Sequence, residues 1–255
     1  MQNSIVYLCE DTLDGLLSAI YQANADRAPL RQIRIRTYKQ LAYELFTEYR
    51  EVTSDYVSAV KVMDAVHLHI SKEAGHMVYC ALLSDADDRG EKVLRFMLTG
   101  FRYGAKVCDM LALPEVADVF ELQRKVSNEA HYFREFLRFS QSEQGILFSQ
   151  ISPKSNILPL IAPYFTDRLP SENYLIFADT YQLAVIHPKN TGWYLAPMNL
   201  EEFHQVLVKG PEEASWEACF KAFHKTIAIK ERANPVCQRT HLPLWYRKHM
   251  TEFQN

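Results

Sequence analysis

The sequence predicts an α+β protein in which helical N- and C-terminal parts surround an antiparallel β meander, as a single compact unit over residues 1–255. Three observations carry this. Apolar residues recur at helical spacing through most of the first 139 positions. Residues 145–197 then change to four short β-rich runs separated by Pro, Asn, Asp and Gly, and helical spacing returns after Asn199.

In order along the chain, residues 4–9 (SIVYLC) read as a short strand, and Asp11-Thr12 can cap a helix carrying Leu13, Leu16, Leu17 and Ile20. Gly15 inside that helix comes with no phosphate-binding glycine pattern, so its expected role is close packing. Residues 31–38 alternate basic and apolar side chains, the period of a strand with one wet, positive face and a charge-protected edge. A helix from about Ser54 repeats Val57, Val60, Met63, Val66 and Ile70 on one face; two more follow over about 72–83 and 87–103. Pro114 suits a first helical turn, and a long helix is expected from there to about Phe139, burying Val116, Val119, Val126, Ala130, Phe133 and Leu137. The N-terminal part thus covers 1–113, and 114–255 holds the long helix, the strands ILFSQI, YLIFAD, YQLAVIH and TGWYLAP, and the C-terminal helices. Asn199 caps one of these, the pair Gly210-Pro211 ends it, and the last long one aligns Trp216, Cys219, Phe220, Phe223 and Ile227 on one face, with Trp216, Phe220 and Phe223 expected to be core.

Composition narrows the function classes. The chain of 255 residues is 48% hydrophobic and 23% charged, ordinary for a globular protein and enough to bury a full core. No apolar run approaches the roughly 20 residues of a membrane-crossing helix, and residues 1–7 lack the features of an export signal, so a cytoplasmic location is expected. The five cysteines are scattered without a CxxC pair, and His67 and His69 fall on different helix faces. No intrinsic metal, iron-sulfur or other cofactor is therefore expected. Of the net charge of −3, residues 221–255 contribute +5 through seven Lys/Arg against Glu231 and Glu252, leaving −8 for the rest. Such asymmetry points to a polyanion-facing end on an acidic body, or to basic residues collected at helix C-termini.

Two constellations bear on chemistry. Arg124, His131, Arg134 and Arg138 line one flank of the long helix beside its apolar stripe; this suits an anion, or arginines laying their stems over the core. The C-terminal segment interleaves Arg232, Arg239 and Arg247 with aromatics, a pattern suited to phosphates and stacked bases or to an ordinary solvated surface over a core. The commonest hydrolase and metalloenzyme signatures are absent from the sequence. Glu129, His131 and Asp179 remain candidate acid-base groups, Asp179 standing where a strand end more often places a turn-former.

Residues 126–139 (VSNEAHYFREFLRF) resemble the V..E.HR..GF.RF signature of a bacterial family described as probable DNA-metabolism proteins, with Tyr132 and Glu135 departing from it. The strand-rich segment is similar in its Phe165, Arg168 and Asp179. The tail is similar at Ile229, Glu231, Arg232, Asn234, Pro235, Gln238, Arg239, Pro243, Trp245 or Tyr246, and Glu252. The resemblance implies a radical-SAM partner protein for DNA modification or repair, and in longer members a fused uracil-DNA-glycosylase-like domain, which is expected to be missing from a chain that ends at Asn255. Arg168 joins the nucleic-acid-facing candidates on this ground. The leading expectation is an accessory protein that binds or presents DNA for such a partner. A stand-alone hydrolase or glycosylase-like enzyme using Glu129, His131 and Asp179, and a structural partner without DNA contact, are the alternatives.

Overall fold

Thr12 accepts a hydrogen bond from the Gly15 amide (3.0 Å) and so starts α1 (Leu13–Ala25) directly after β1 (Ser4–Cys9). A computed structural model of the protein describes residues 4–40, 43–206, 210 and 212–253. It is α+β, and its residues gather into two units, 1–127 and 128–255. In the first, β1 is the centre of a three-stranded, wholly parallel sheet between β2 (Ile33–Thr37) and β3 (Thr47–Glu51). The alternation read in β2 is real. Ile33, Ile35 and Thr37 are buried, whereas Arg34 and Arg36 project to Glu44 (2.9 Å) and Glu91 (2.6 Å) on an edge strand. Gly15 is a packing glycine as expected, since a Cβ there would lie 2.6 Å from the Glu10 carbonyl oxygen.

Helices α2 (Tyr56–His69), α3 (Lys72–Leu82) and α4 (Arg89–Tyr103) complete this unit's core with the first half of α5 (Pro114–Phe136). The buried face of α2 is rotated from the expected one: Ala59, Val62 and Val66 are inside while Val57 is 56% exposed. A valine in the first turn extends the helical pattern without reaching the core. Of the cysteines, Cys9, Cys80 and Cys108 are buried and Cys219 and Cys237 exposed, all of them free thiols. Burial pushes the Cys9 thiol up to about 12.

The second unit holds a five-stranded sheet in the order β4 (Ser140–Gln141), β5 (Leu147–Ile151), β6 (Tyr174–Ala178), β7 (Leu183–His187) and β8 (Tyr194–Pro197). The strand runs stand where the sequence places them, but the sheet is not a pure antiparallel meander. β5 and β6 pair in parallel because α6 (Leu158–Arg168) carries the chain back between them. Two prolines hid that helix: Pro159 stands in its first turn, where no amide is needed, and Pro163 lies inside it. The buried apolar face of Leu158, Ile161, Ala162 and Phe165 holds the helix in place despite them.

Asn199 and Glu202 cap α7 (Leu200–Val206) reciprocally at 2.8 and 2.9 Å. Gly210 is described, whereas Pro211 of the expected break lies outside the described residues. After α8 (Glu213–Ile227), Asn234 caps a further helix, α9 (Pro235–His241). The expected burial of Trp216, Phe220 and Phe223 on α8 is overturned: they are 68%, 39% and 59% exposed. Their spacing does put them on one face of the helix. Among the described residues that face is left largely uncovered, apart from the Arg138 guanidinium 5.9 Å from the centroid of the Phe220 ring. No helix among the described residues is long and apolar enough to cross a membrane.

Candidate functional site at the carboxyl ends of the parallel strands

Parallel neighbours aim their carboxyl ends the same way, and in open α/β sheets that is where ligands are received. Here Ser152 follows β5 and Asp179 follows β6, its amide donating to the Ile151 carbonyl at 3.0 Å. The C-terminal stretch Leu244–His249 closes over both. Trp245 Nε1 donates to the Ser152 carbonyl (2.7 Å), Lys248 Nζ donates to Ser152 Oγ (2.7 Å) and Asp179 Oδ2 (3.2 Å), and His249 Nε2 lies 2.8 Å from Ser152 Oγ. Ser152 Oγ donates to Asp179 Oδ2 at 2.7 Å, and Gln150 Nε2 reaches the same oxygen at 3.2 Å. Asp179 Oδ1 is buried and, among the described residues, has no hydrogen-bond partner.

Charge states follow from these contacts. Burial opposes ionisation of Asp179, but the hydrogen bonds from Ser152 and Lys248, the Lys248 charge and Gln150 outweigh it and hold the carboxyl below its ordinary range. Burial, assisted by the Lys248 charge and only partly offset by Asp179, holds His249 below the ordinary imidazole value, so its ring is neutral at pH 7. Ser152 has one proton, given to Asp179, and two lone pairs, filled by Lys248 and by an Nε2–H of His249. This is a saturated hydroxyl. Asp179 and Ser152 also converge on the same imidazole nitrogen, whereas a relay needs the carboxylate on the opposite one. Ser152 therefore positions the other groups. The Lys248 side chain is 58% exposed, whereas His249, 22% exposed, and Gln150 line a cleft of about 280 Å³ with Ser149, His204 and Thr251 over Phe148.

The neutral imidazole makes a pH prediction. A histidine whose folded pKa is depressed contributes stability that is complete above its unfolded value of about 6.5 and is lost as pH falls. The melting temperature of the wild type should fall between about pH 7.5 and about pH 5, and fall less in His249→Gln. Equal slopes in calorimetric melts would remove His249 as the cause. Asp179 does not interfere in this window, because its contribution is lost only below the ordinary carboxylate range.

The other residues singled out in the sequence divide between structural work and open surface. Glu129 is buried and accepts from the amides of Lys154 (2.7 Å) and Ser155 (2.9 Å), which shapes the loop after β5. His131 is exposed and pairs with Glu135 one turn on (3.1 Å). Glu129, His131 and Asp179 thus belong to three separate hydrogen-bond systems. The two departures at this turn have partners as well, Glu135 with His131 and Tyr132 with Tyr246, whose rings are 4.8 Å apart. Arg124 lies exposed on the part of α5 in the first unit. Arg134 donates to the Leu160 carbonyl, and Arg138 is held by Glu252 (2.8 Å), so both work on the fold. Arg247 donates to the carbonyls of Leu242 and Gln238 (3.0 and 3.2 Å), closing the end of α9. Arg168, Arg232 and Arg239 are exposed, and no acceptor among the described residues engages their side chains.

Sequence reasoning missed the grouping of Ser152 with Lys248 and His249 because 96 and 97 positions separate it from them in the chain. The available signal was a polar Gln-x-Ser closing an otherwise apolar strand, next to a tail already marked by Trp245. Among the described residues, no three His, Cys, Asp or Glu side chains are grouped to hold a metal ion.

Comparison with known proteins gives one family and little else. Residues 87–252 match the family model of a domain of unknown function, DUF4130. No curated protein matches the chain. Among solved structures, a DHH domain described as belonging to a family of ribosomal proteins is similar at a TM-score of 0.35 and 11% identity over 74% of each chain, too distant to carry an argument.

Proposed function

The chain belongs to the DUF4130 family, and from that premise we propose that it is a non-catalytic accessory protein of DNA metabolism, which binds or presents nucleic acid for a radical-SAM partner. The observation that carries this reading is the combination of exposed rings and uncompensated cations in the C-terminal segment. Trp216 and Phe223 are open on α8, and Arg232 and Arg239 are open just beyond it. Ring faces stack bases regardless of sequence, and guanidinium groups hold phosphates. A chain with a net charge of −3 needs such a local cluster to overcome its mean repulsion of DNA.

The test is fluorescence anisotropy with a labelled single-stranded oligonucleotide across a salt series. Arg239→Glu is expected to weaken binding to every sequence alike and to reduce the salt slope by roughly 0.7 to 1, the loss of one phosphate contact. A wild type that binds no oligonucleotide, alone or with the proposed radical-SAM partner, would overturn the reading.

A second reading, an acid-base enzyme acting on nucleic acid, draws support from one feature. Asp179 keeps a buried oxygen without a partner among the described residues, beside the cleft that neutral His249 lines. It requires turnover of a damaged oligonucleotide by the purified chain, abolished in His249→Ala.

A further inference from the structure

Four of the nine arginines of the first unit hold carboxylates: Arg34 takes Glu44, Arg36 takes Glu91, and Arg50 and Arg89 take Asp26 and Asp11. Five others hold none among the described residues, and three of these share one depression. Arg31, just ahead of β2, and Arg95 and Arg102, seven residues apart on one face of α4, line a single cleft of about 470 Å³. All three are exposed, and no carboxylate among the described residues lies within ion-pair distance of any of them, although Glu115 is part of the same lining. The guanidinium of Arg102 lies 5.3 Å from the centroid of the Tyr103 ring, which is 42% exposed and also faces the cleft.

Three like charges around one depression repel one another, and each planar fork is built to take two oxygens of an anion at once. Arg95 and Arg102 are separated by about two helical turns, roughly 10 Å along the axis, a spacing long enough to engage neighbouring phosphates of one chain. The cleft is open along its length rather than enclosed. A chain of phosphates fits this spacing, and an exposed tyrosine beside them supplies a stacking face for a base.

We propose that the Arg31, Arg95, Arg102 and Tyr103 cleft is a subsite for the phosphodiester backbone of single-stranded nucleic acid, with one base stacked on Tyr103. This rests on the nucleic-acid reading above and adds to it a second contact region, in the first unit, that takes the strand through phosphates and one ring. The site selects charge and single-strandedness, not sequence, because phosphate and stacking contacts carry no base code. A free nucleoside triphosphate offers the same chemistry in a shorter form.

The experiment uses the full chain and a fluorescein-labelled oligo-dT in a salt series. Arg95→Gln/Arg102→Gln is expected to lower affinity tenfold or more and to reduce the salt slope by about 1.4, two single-strand contacts of about 0.7 each. Tyr103→Ala should lower affinity at least fivefold with the slope unchanged, since no phosphate contact is lost. Photo-crosslinking with a 5-bromodeoxyuridine oligonucleotide, mapped by mass spectrometry, should place an adduct on the peptide containing Tyr103. If the wild type binds and Arg239→Glu weakens it while the cleft variants bind as the wild type and no adduct forms there, this inference falls and the accessory reading stands. If the wild type binds no oligonucleotide, both fall. Adenosine triphosphate binding that the arginine variants abolish, without any effect of those variants on oligonucleotide affinity, would overturn the strand assignment in favour of a free nucleotide.

Discussion

Arg138→Leu is expected to destabilise the second unit by about 3 to 5 kcal/mol, the range for leaving one member of a buried ion pair alone. Glu252 is the reason. Its side chain is only 4% exposed, one carboxylate oxygen accepts from Arg138 Nη2 at 2.8 Å, and the other is buried with no partner among the described residues. Without the guanidinium, the carboxylate must be protonated, hydrated by rearrangement, or left charged in an apolar setting, and each route costs stability. The paired variant Arg138→Leu/Glu252→Leu should recover most of the loss, because an apolar pair of similar volume removes the stranded charge along with its partner. Urea denaturation of the two single variants and the double variant supplies the coupling energy. A coupling near zero would return Arg138 to the surface role that its place on the helix flank suggested.

That arginine shows what the sequence reveals and what it conceals. Helical periodicity located α5 and its buried stripe of Val116, Val119, Val126, Ala130 and Phe133. It also set Arg134 and Arg138 on one flank. Periodicity cannot say what stands opposite a flank, and there the chain supplies the Leu160 carbonyl and Glu252, 26 and 114 residues further on. The same limit explains the site at the strand ends. Asp179 was legible because it closes an apolar strand, but its partners Ser152 and Lys248 reach it only through the parallel pairing of β5 and β6 and the returning tail. That pairing was itself hidden by the two prolines of α6, which read as breaks in a β-rich stretch. Glu129 shows the converse error. An acid in a family-like motif suggests chemistry, yet both of its oxygens are committed to backbone amides.

Trp216→Ala, in contrast to the arginine variant, is expected to leave stability within about 0.5 kcal/mol of the wild type while weakening oligonucleotide binding. The side chain is 68% exposed, so truncating it removes little that the folded chain buries. Stacking of a base on an aromatic ring is worth about 1 to 3 kcal/mol, which corresponds to a loss of roughly 5- to 150-fold in affinity. Phe223→Ala on the same face, 59% exposed, should behave alike. Because stacking contacts release no counterions, the salt slope of either variant should match the wild type, unlike that of Arg239→Glu. Thermal melts and anisotropy titrations on the same preparations separate the outcomes. A fall in melting temperature with binding intact would mean that this face packs within the protein. Unchanged stability and unchanged DNA affinity, together with lost binding to the proposed radical-SAM partner, would assign the face to a protein partner, since an exposed row of Trp216, Phe220, Phe223 and Ile227 also offers an apolar helix stripe for another chain to cover.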